Sequence, residues 1–151
     1  MAKKKLPLIR EVSITDIAAQ GKALTRIDNF VTFVMNALPG DVVDIQVTRR
    51  RKSYQEARAI HFHSFSDKRT EPFCEHFGTC GGCRWQDLKY SEQLYYKQKE
   101  VSDIFSRIGQ VPFPDPEPVI ASASEKYYRN KRAPPQWMQP VRHRQEQAPQ
   151  R

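Results

Sequence analysis

Ten residues, from Cys74 to Cys83, hold all three cysteines of this 151-residue chain. They read CEHFGTCGGC, a C-x5-C-x2-C spacing. Gly78, Gly81 and Gly82 between the cysteines let the backbone turn tightly and come close to a bound object. A Cys-x-x-Cys pair enclosing glycine can aim two thiolates at one centre, as iron–sulfur and zinc sites require. Four readings compete. An iron–sulfur cluster needs a fourth ligand, and the chain holds no other cysteine. Zinc could be completed by His76 as Cys3His, although only one residue separates His76 from Cys74, an unusual spacing. A Cys80–Cys83 disulfide has against it the odd cysteine count and the lack of a secretory pattern. The plainest reading is three unligated thiols in a loop. The spacing favours a metal of some kind.

A second constellation carries charge. Arg49-Arg50-Arg51-Lys52 is followed by Tyr54 and Arg58. Four consecutive cations beside an aromatic suit a loop that grips phosphates and stacks a base. The competing reading is a solvated hairpin tip whose charges only keep the protein soluble. The whole chain leans the same way: 25 Lys and Arg against 17 Asp and Glu give a net charge of +8. A polyanionic partner, most often nucleic acid, fits that balance, though many basic proteins bind none.

The elements that must position these residues read as a small, mainly β unit. From Leu8 to about Phe65, short strands alternate with turn signals, the pattern of a five-stranded OB-like barrel. Val12 and Ile14 alternate with Ser13 and Thr15. Ala23 to Ile27 follow Gly21 as a second strand, and Val31, Phe33 and Met35 mark a third. Pro39-Gly40-Asp41 is a turn, since proline fixes φ and glycine accepts the left-handed region. Val43, Ile45 and Val47 alternate strictly with Asp44, Gln46 and Thr48. Tyr54 to Phe62 make a weaker fifth strand. The cationic run therefore sits between the last two strands.

Beyond the barrel, residues 66–109 comprise the cysteine loop and one α-helix. Trp85 is expected to cover a metal or to pack on that helix. Ser91 is a plausible N-cap, with Glu92 in the first turn and Gly109 as C-cap. Leu94, Val101, Ile104, Phe105 and Ile108 fall on one apolar face, expected to be core. PFPDPEP at 112–118 is a stiff linker within residues 110–131. Residues 1–7 form a basic arm. Residues 132–151, with four prolines and five glutamines at no apolar period, read as a disordered tail. No apolar run nears the ~18 residues that span a bilayer. The lysines of MAKKKLPLI lack the apolar segment of a signal peptide, so a cytoplasmic monomer without membrane attachment is expected.

These strings together resemble a family. CEHFGTCGGCRWQ, then Tyr90 with SEQLYYKQKEV, Arg107-Ile108-Gly109 and YYRNK are similar to bacterial 23S rRNA uracil-C5 methyltransferases of the RlmD/RumA type. The likeness covers about residues 5–131. It implies that the barrel is a TRAM domain holding rRNA backbone, with Arg49 to Lys52 in contact. It also implies that Cys74, Cys80 and Cys83 ligate a four-iron four-sulfur cluster, whose fourth cysteine lies well downstream in the family. The family methylates with S-adenosylmethionine after a cysteine thiolate adds to a uracil drawn out of its stack. This chain shows no glycine-rich cofactor loop and no cysteine outside the cluster motif, so no catalytic or cofactor-binding residue is nominated. The family continues past YRNK into a catalytic domain, whereas here the composition changes one residue later. The expectation is an interrupted methyltransferase, inactive alone. The alternatives are a stand-alone RNA-binding module and a small zinc protein ligated by Cys74, His76, Cys80 and Cys83.

Overall fold

The computed structural model describes residues 6–79 and 82–126. The tail at 132–151, YYRNK at 127–131, most of the basic arm, and Cys80 with Gly81 lie outside the described residues.

Six strands form one sheet: β1 (Leu8–Ser13), β2 (Asp16–Ala18), β3 (Lys22–Ile27), β4 (Phe30–Met35), β5 (Val42–Arg50) and β6 (Tyr54–Ser64). Their order is β1-β5-β6-β4-β3-β2. All pairings are antiparallel except β4 with β6. One strand exceeds the expected five. The addition is β2, whose three residues are too few to show a period but pair with β3 from Asp16↔Leu24 to Ala18↔Lys22.

The strict alternation of β5 is the keel of the core. Val43, Ile45 and Val47 are buried, and Val12, Ile14, Ala23, Val34, Ala57 and Ala59 close around them. Each large aliphatic side chain removed from water contributes about 1.5–3 kcal/mol. In β4 the buried face is Thr32 and Val34, so Val31, Phe33 and Met35 stand on the other side. A threonine can occupy the core because Gln55 donates to its Oγ1 at 3.0 Å, which satisfies both polar groups. Strands β3 and β4 join through Asp28 and Asn29, both at positive φ, a hairpin turn whose twist matches the strands.

Helix α1 (Tyr90–Asp103) continues into a π-helical segment, Ile104–Gly109. Its start corrects the cap expectation: Lys89 holds the N-cap position with no side-chain cap, and Ser91 lies inside the helix. Gln93 instead donates to the carbonyls of Trp85 and Leu88 at 2.9 and 2.8 Å, tying the helix start to the loop before it. The C-cap is Gln110, at φ 49°, one residue beyond Gly109.

The larger correction concerns the apolar face. Val101, Ile104, Phe105 and Ile108 are exposed, and Tyr96 is the one buried residue of α1. The helix turns toward the barrel through Glu92, Tyr96 and Lys99, at the i, i+4, i+7 spacing of one helical stripe. Lys68 pairs with Glu92 at 2.8 Å and Lys99 with Asp16 at 2.7 Å, so ion pairs flank the tyrosine. Tyr96 joins Ile17, Leu38 and Leu88 in a second small core, with Trp85 against it. Residues 112–118 have no regular structure, as expected, and Gln98 pins them by donating to the Pro116 and Glu117 carbonyls. Among the described residues no helix is long and apolar enough to cross a membrane.

Candidate nucleic-acid interface and cysteine loop

The β5–β6 hairpin collects the cationic residues at one end of the barrel. Arg49 and Arg50 end β5, Arg51 and Lys52 form the turn, and Tyr54 opens β6. The Arg51 N–H donates to the Tyr54 carbonyl at 2.9 Å, which closes the tip. All four cations are exposed. Arg50 lies over the Phe30 ring at 4.4 Å, and Arg49 stands opposite Glu56 in the strand register. Arg58 sits four residues beyond Tyr54, about 13 Å farther along the strand. It is exposed and lies beside Gln46 on β5 and Met35 on β4. The structure therefore gathers Arg49 to Lys52 and Tyr54, and places Arg58 up the same outer face.

Phe30 and Phe33 were missed as members of this surface. The signal lay in register: Phe33 pairs with Glu56, and its ring meets Tyr54 edge-on with centroids 5.7 Å apart. That pairing could not be read without the β4–β6 alignment.

The cysteine loop is clamped onto the barrel. Arg84 donates to the Gln20 carbonyl at 2.7 Å, and Trp85 Nε1 lies 3.4 Å from the Gly21 carbonyl. Trp85 thus meets the barrel and the second core, beyond the helix contact expected of it. Residues 66–72 do more than link. Asp41, fully buried, accepts from the Leu38 and Ser66 N–H groups and twice from Arg69. Arg69 also reaches Asp87 at 2.6 Å. Burial works against the Arg69 charge, but hydrogen bonds and the field of Asp41, joined by Asp87, outweigh it and raise its pKa. Burial pushes the Asp87 carboxyl up despite Arg69, and among the described residues Asp87 Oδ1 finds no hydrogen-bond partner. Beside the loop lies an open cavity of about 680 Å³, lined by Phe73, Cys74, Phe77 and Lys126 among others.

Within the loop, the Cys74 N–H donates to Gln86 Oε1 at 2.9 Å, and Gln86 Nε2 lies 3.7 Å from Cys83 Sγ. One glutamine thus joins the first and last cysteines of the motif. Both thiols are free, Cys74 half-buried and Cys83 exposed. The Phe77 N–H returns to the Cys74 carbonyl and the Thr79 N–H to the His76 carbonyl, with Gly78 at φ +77° between them. His76 is exposed. Among the described residues no three Cys, His, Asp or Glu side chains assemble into a metal site. Cys80 lies outside those residues, and an all-cysteine cluster needs one thiolate more than the chain contains. The donor set matches such a cluster only in part.

A family model described as the TRAM domain matches residues 9–60, which span β1 to most of β6. Residues 9–60 are a TRAM domain. Beyond that domain, the chain matches the N-terminal part of proteins named RNA methyltransferases. It is 50% identical over 115 residues to an "Uncharacterized RNA methyltransferase" of Bacteroides thetaiotaomicron, covering 76% of this chain and 25% of that protein. A protein of the same description from Porphyromonas gingivalis is 42% identical over 120 residues, covering 80% of this chain and 26% of its own length. The "23S rRNA (uracil(1939)-C(5))-methyltransferase RlmD" of Legionella pneumophila is 34% identical over 132 residues, 85% of this chain and 29% of that protein. The chain spans about a quarter of the length of these curated relatives.

Proposed function

We propose that this chain is the RNA-binding N-terminal portion of an S-adenosylmethionine-dependent 23S rRNA (uracil-C5)-methyltransferase. The observation that carries the reading is the identity to proteins named RNA methyltransferases across three quarters or more of the chain. The TRAM domain holds RNA through Arg49, Arg50, Arg51 and Lys52 on the phosphates, with Tyr54 and Arg58 on the adjoining face. A cationic tip on a rigid hairpin supports this, because phosphate contacts position a protein on RNA without reading sequence. Methyl transfer uses S-adenosylmethionine in a catalytic portion outside this chain, and no residue here is assigned to it.

Cys74, Cys80 and Cys83 supply three thiolates to a four-iron four-sulfur cluster in this reading. The Gln86 bridge between Cys74 and Cys83 supports it by holding the ends of the motif together. The protein works as a cytoplasmic monomer on 23S rRNA, in a compartment that keeps such thiols reduced.

The test is binding of the chain to an rRNA fragment at rising salt. Affinity should fall steeply, since each neutralised phosphate releases counterions. Binding that salt leaves unchanged would remove the phosphate-gripping role of the hairpin.

A further inference from the structure

The cationic tip leaves a neighbouring surface unexplained. The outer face of β4 and β6 carries Phe33, Met35 and Tyr54 where a small barrel normally turns polar groups to water. Met35, the last residue of the interior strand β4, is 63% exposed. Phe33 and Tyr54 are half-buried and meet edge-on at 5.7 Å, which fixes both rings in orientation. Cations border these groups on two sides. Lys22 Nζ lies over the Phe33 ring from one side, 5.8 Å from its centroid, and Arg58 is the register partner of Met35. Glu56, paired with Phe33, has Arg49 opposite it on β5 in the strand register.

We infer that this face is a stacking platform for the bases of a short single-stranded RNA segment. Bases lie over Phe33 and Met35, Tyr54 walls the platform toward the hairpin tip, and Lys22 and Arg58 take the flanking phosphates. The inference rests on the RNA-binding reading and assigns it a second element. The hairpin tip holds backbone, while the platform holds unpaired bases. Flat or polarisable side chains suit every base, because every base offers a π-face. Charge complementarity selects the occupant: an apolar patch ringed by cations accepts a polyanion that also carries apolar planes.

The experiment compares two probes by fluorescence anisotropy, a short oligoadenylate and the matching abasic ribose-phosphate strand. The second keeps the phosphates and removes the bases. The unmodified protein should bind the oligoadenylate at least about tenfold more tightly, the scale expected of one stacked base. Phe33→Leu and Met35→Ala should each shrink that gap several-fold while leaving abasic binding unchanged. If the protein binds neither strand, the RNA reading fails and the platform with it. If it binds both and neither substitution narrows the gap, the RNA reading stands and the platform is overturned. Should Phe33→Leu also lose the abasic strand, its fold has been harmed and Met35→Ala decides. An undiminished gap in that variant sinks the inference, and a narrowed one upholds it.

Discussion

The indole of Trp85 lies against the α-carbon of Gly21, so closely that a Cβ there would sit 2.7 Å from Nε1 and 2.9 Å from Cε2. Gly21 also holds φ +70°, a conformation that costs other residues about 1 kcal/mol or more. Two requirements thus coincide on one residue: the turn between β2 and β3 must be left-handed, and the tryptophan must reach the backbone. Trp85 follows Cys83 by two positions, so this contact sets where the cysteine loop lies on the barrel.

Gly21→Ala should therefore detach the loop before it harms the barrel. Tryptophan emission should shift to the red as the indole meets water. Thermal stability should drop by about 1–3 kcal/mol, the range for overpacking and strain combined. Unchanged emission would mean that Trp85 shifts without letting go, and that the loop does not depend on this contact.

Asp41 should be the costlier loss. Four donors converge on a carboxylate with no exposed surface, and two of them belong to Arg69, which also holds Asp87. Asp41→Ala would leave two buried N–H groups without an acceptor and the part-buried Arg69 guanidinium with Asp87 alone to hold it. Breaking one side of such a buried pair costs about 3–5 kcal/mol. Urea denaturation of the variant measures this directly, and a loss below about 1 kcal/mol would show that water replaces the carboxylate.

How much of this could be read beforehand depended on where periodicity survives. The alternation of Val43, Ile45 and Val47 pointed straight to the core, because a period of two needs only the strand's own residues. The apolar stripe of α1 misled for a physical reason. Amphipathic spacing marks a face that wants covering, but it does not say what covers it, and the Glu92–Tyr96–Lys99 stripe was taken through ion pairs to Lys68, just after β6, and to Asp16 on β2. Asp41, Arg69 and Asp87 carry no local pattern, since their partners lie 28 and 18 residues apart. The cationic tip was legible as composition, whereas Phe33 beside Tyr54 required the parallel β4–β6 pairing.

The helix–barrel contact should fail in alkali. Hydrogen bonding to Glu92, against the opposing effect of burial, raises the Lys68 pKa; bonding to Asp16 does the same for Lys99. Burial raises the Tyr96 hydroxyl as well. A group whose folded pKa is raised binds its proton more tightly when folded, so its stabilisation is complete below the unfolded pKa. That stabilisation then fades as pH climbs through the folded value. All three groups therefore predict constant stability up to about pH 10, the ordinary lysine and tyrosine range, and a decline above it. Lys99→Met should flatten part of that decline, at a cost near neutral pH of only about 0.2–1 kcal/mol for a part-exposed pair. A stability profile that stays level through pH 12 would rule out these contacts as the helix anchor.

The four tip cations should not contribute equally to RNA affinity. Arg50 lies over the Phe30 ring and is thus partly engaged by the protein itself, while Arg49 has Glu56 opposite it in the β5–β6 register. Arg51 and Lys52 occupy the turn with no such neighbour among their described contacts, and their charges are the ones most free to neutralise phosphates. On a single strand each phosphate contact adds about 0.7 to the slope of log affinity against log salt. Replacing Arg51 and Lys52 together by alanine should lower that slope by about 1.4, with similar losses for every RNA sequence, since backbone contacts carry no base information. Replacing Arg49 and Arg50 should lower it by less. Equal changes in the two double variants would mean that RNA pulls Arg50 away from Phe30, so that the whole tip acts as one phosphate clamp. A loss confined to one sequence would instead make the tip a reader of bases.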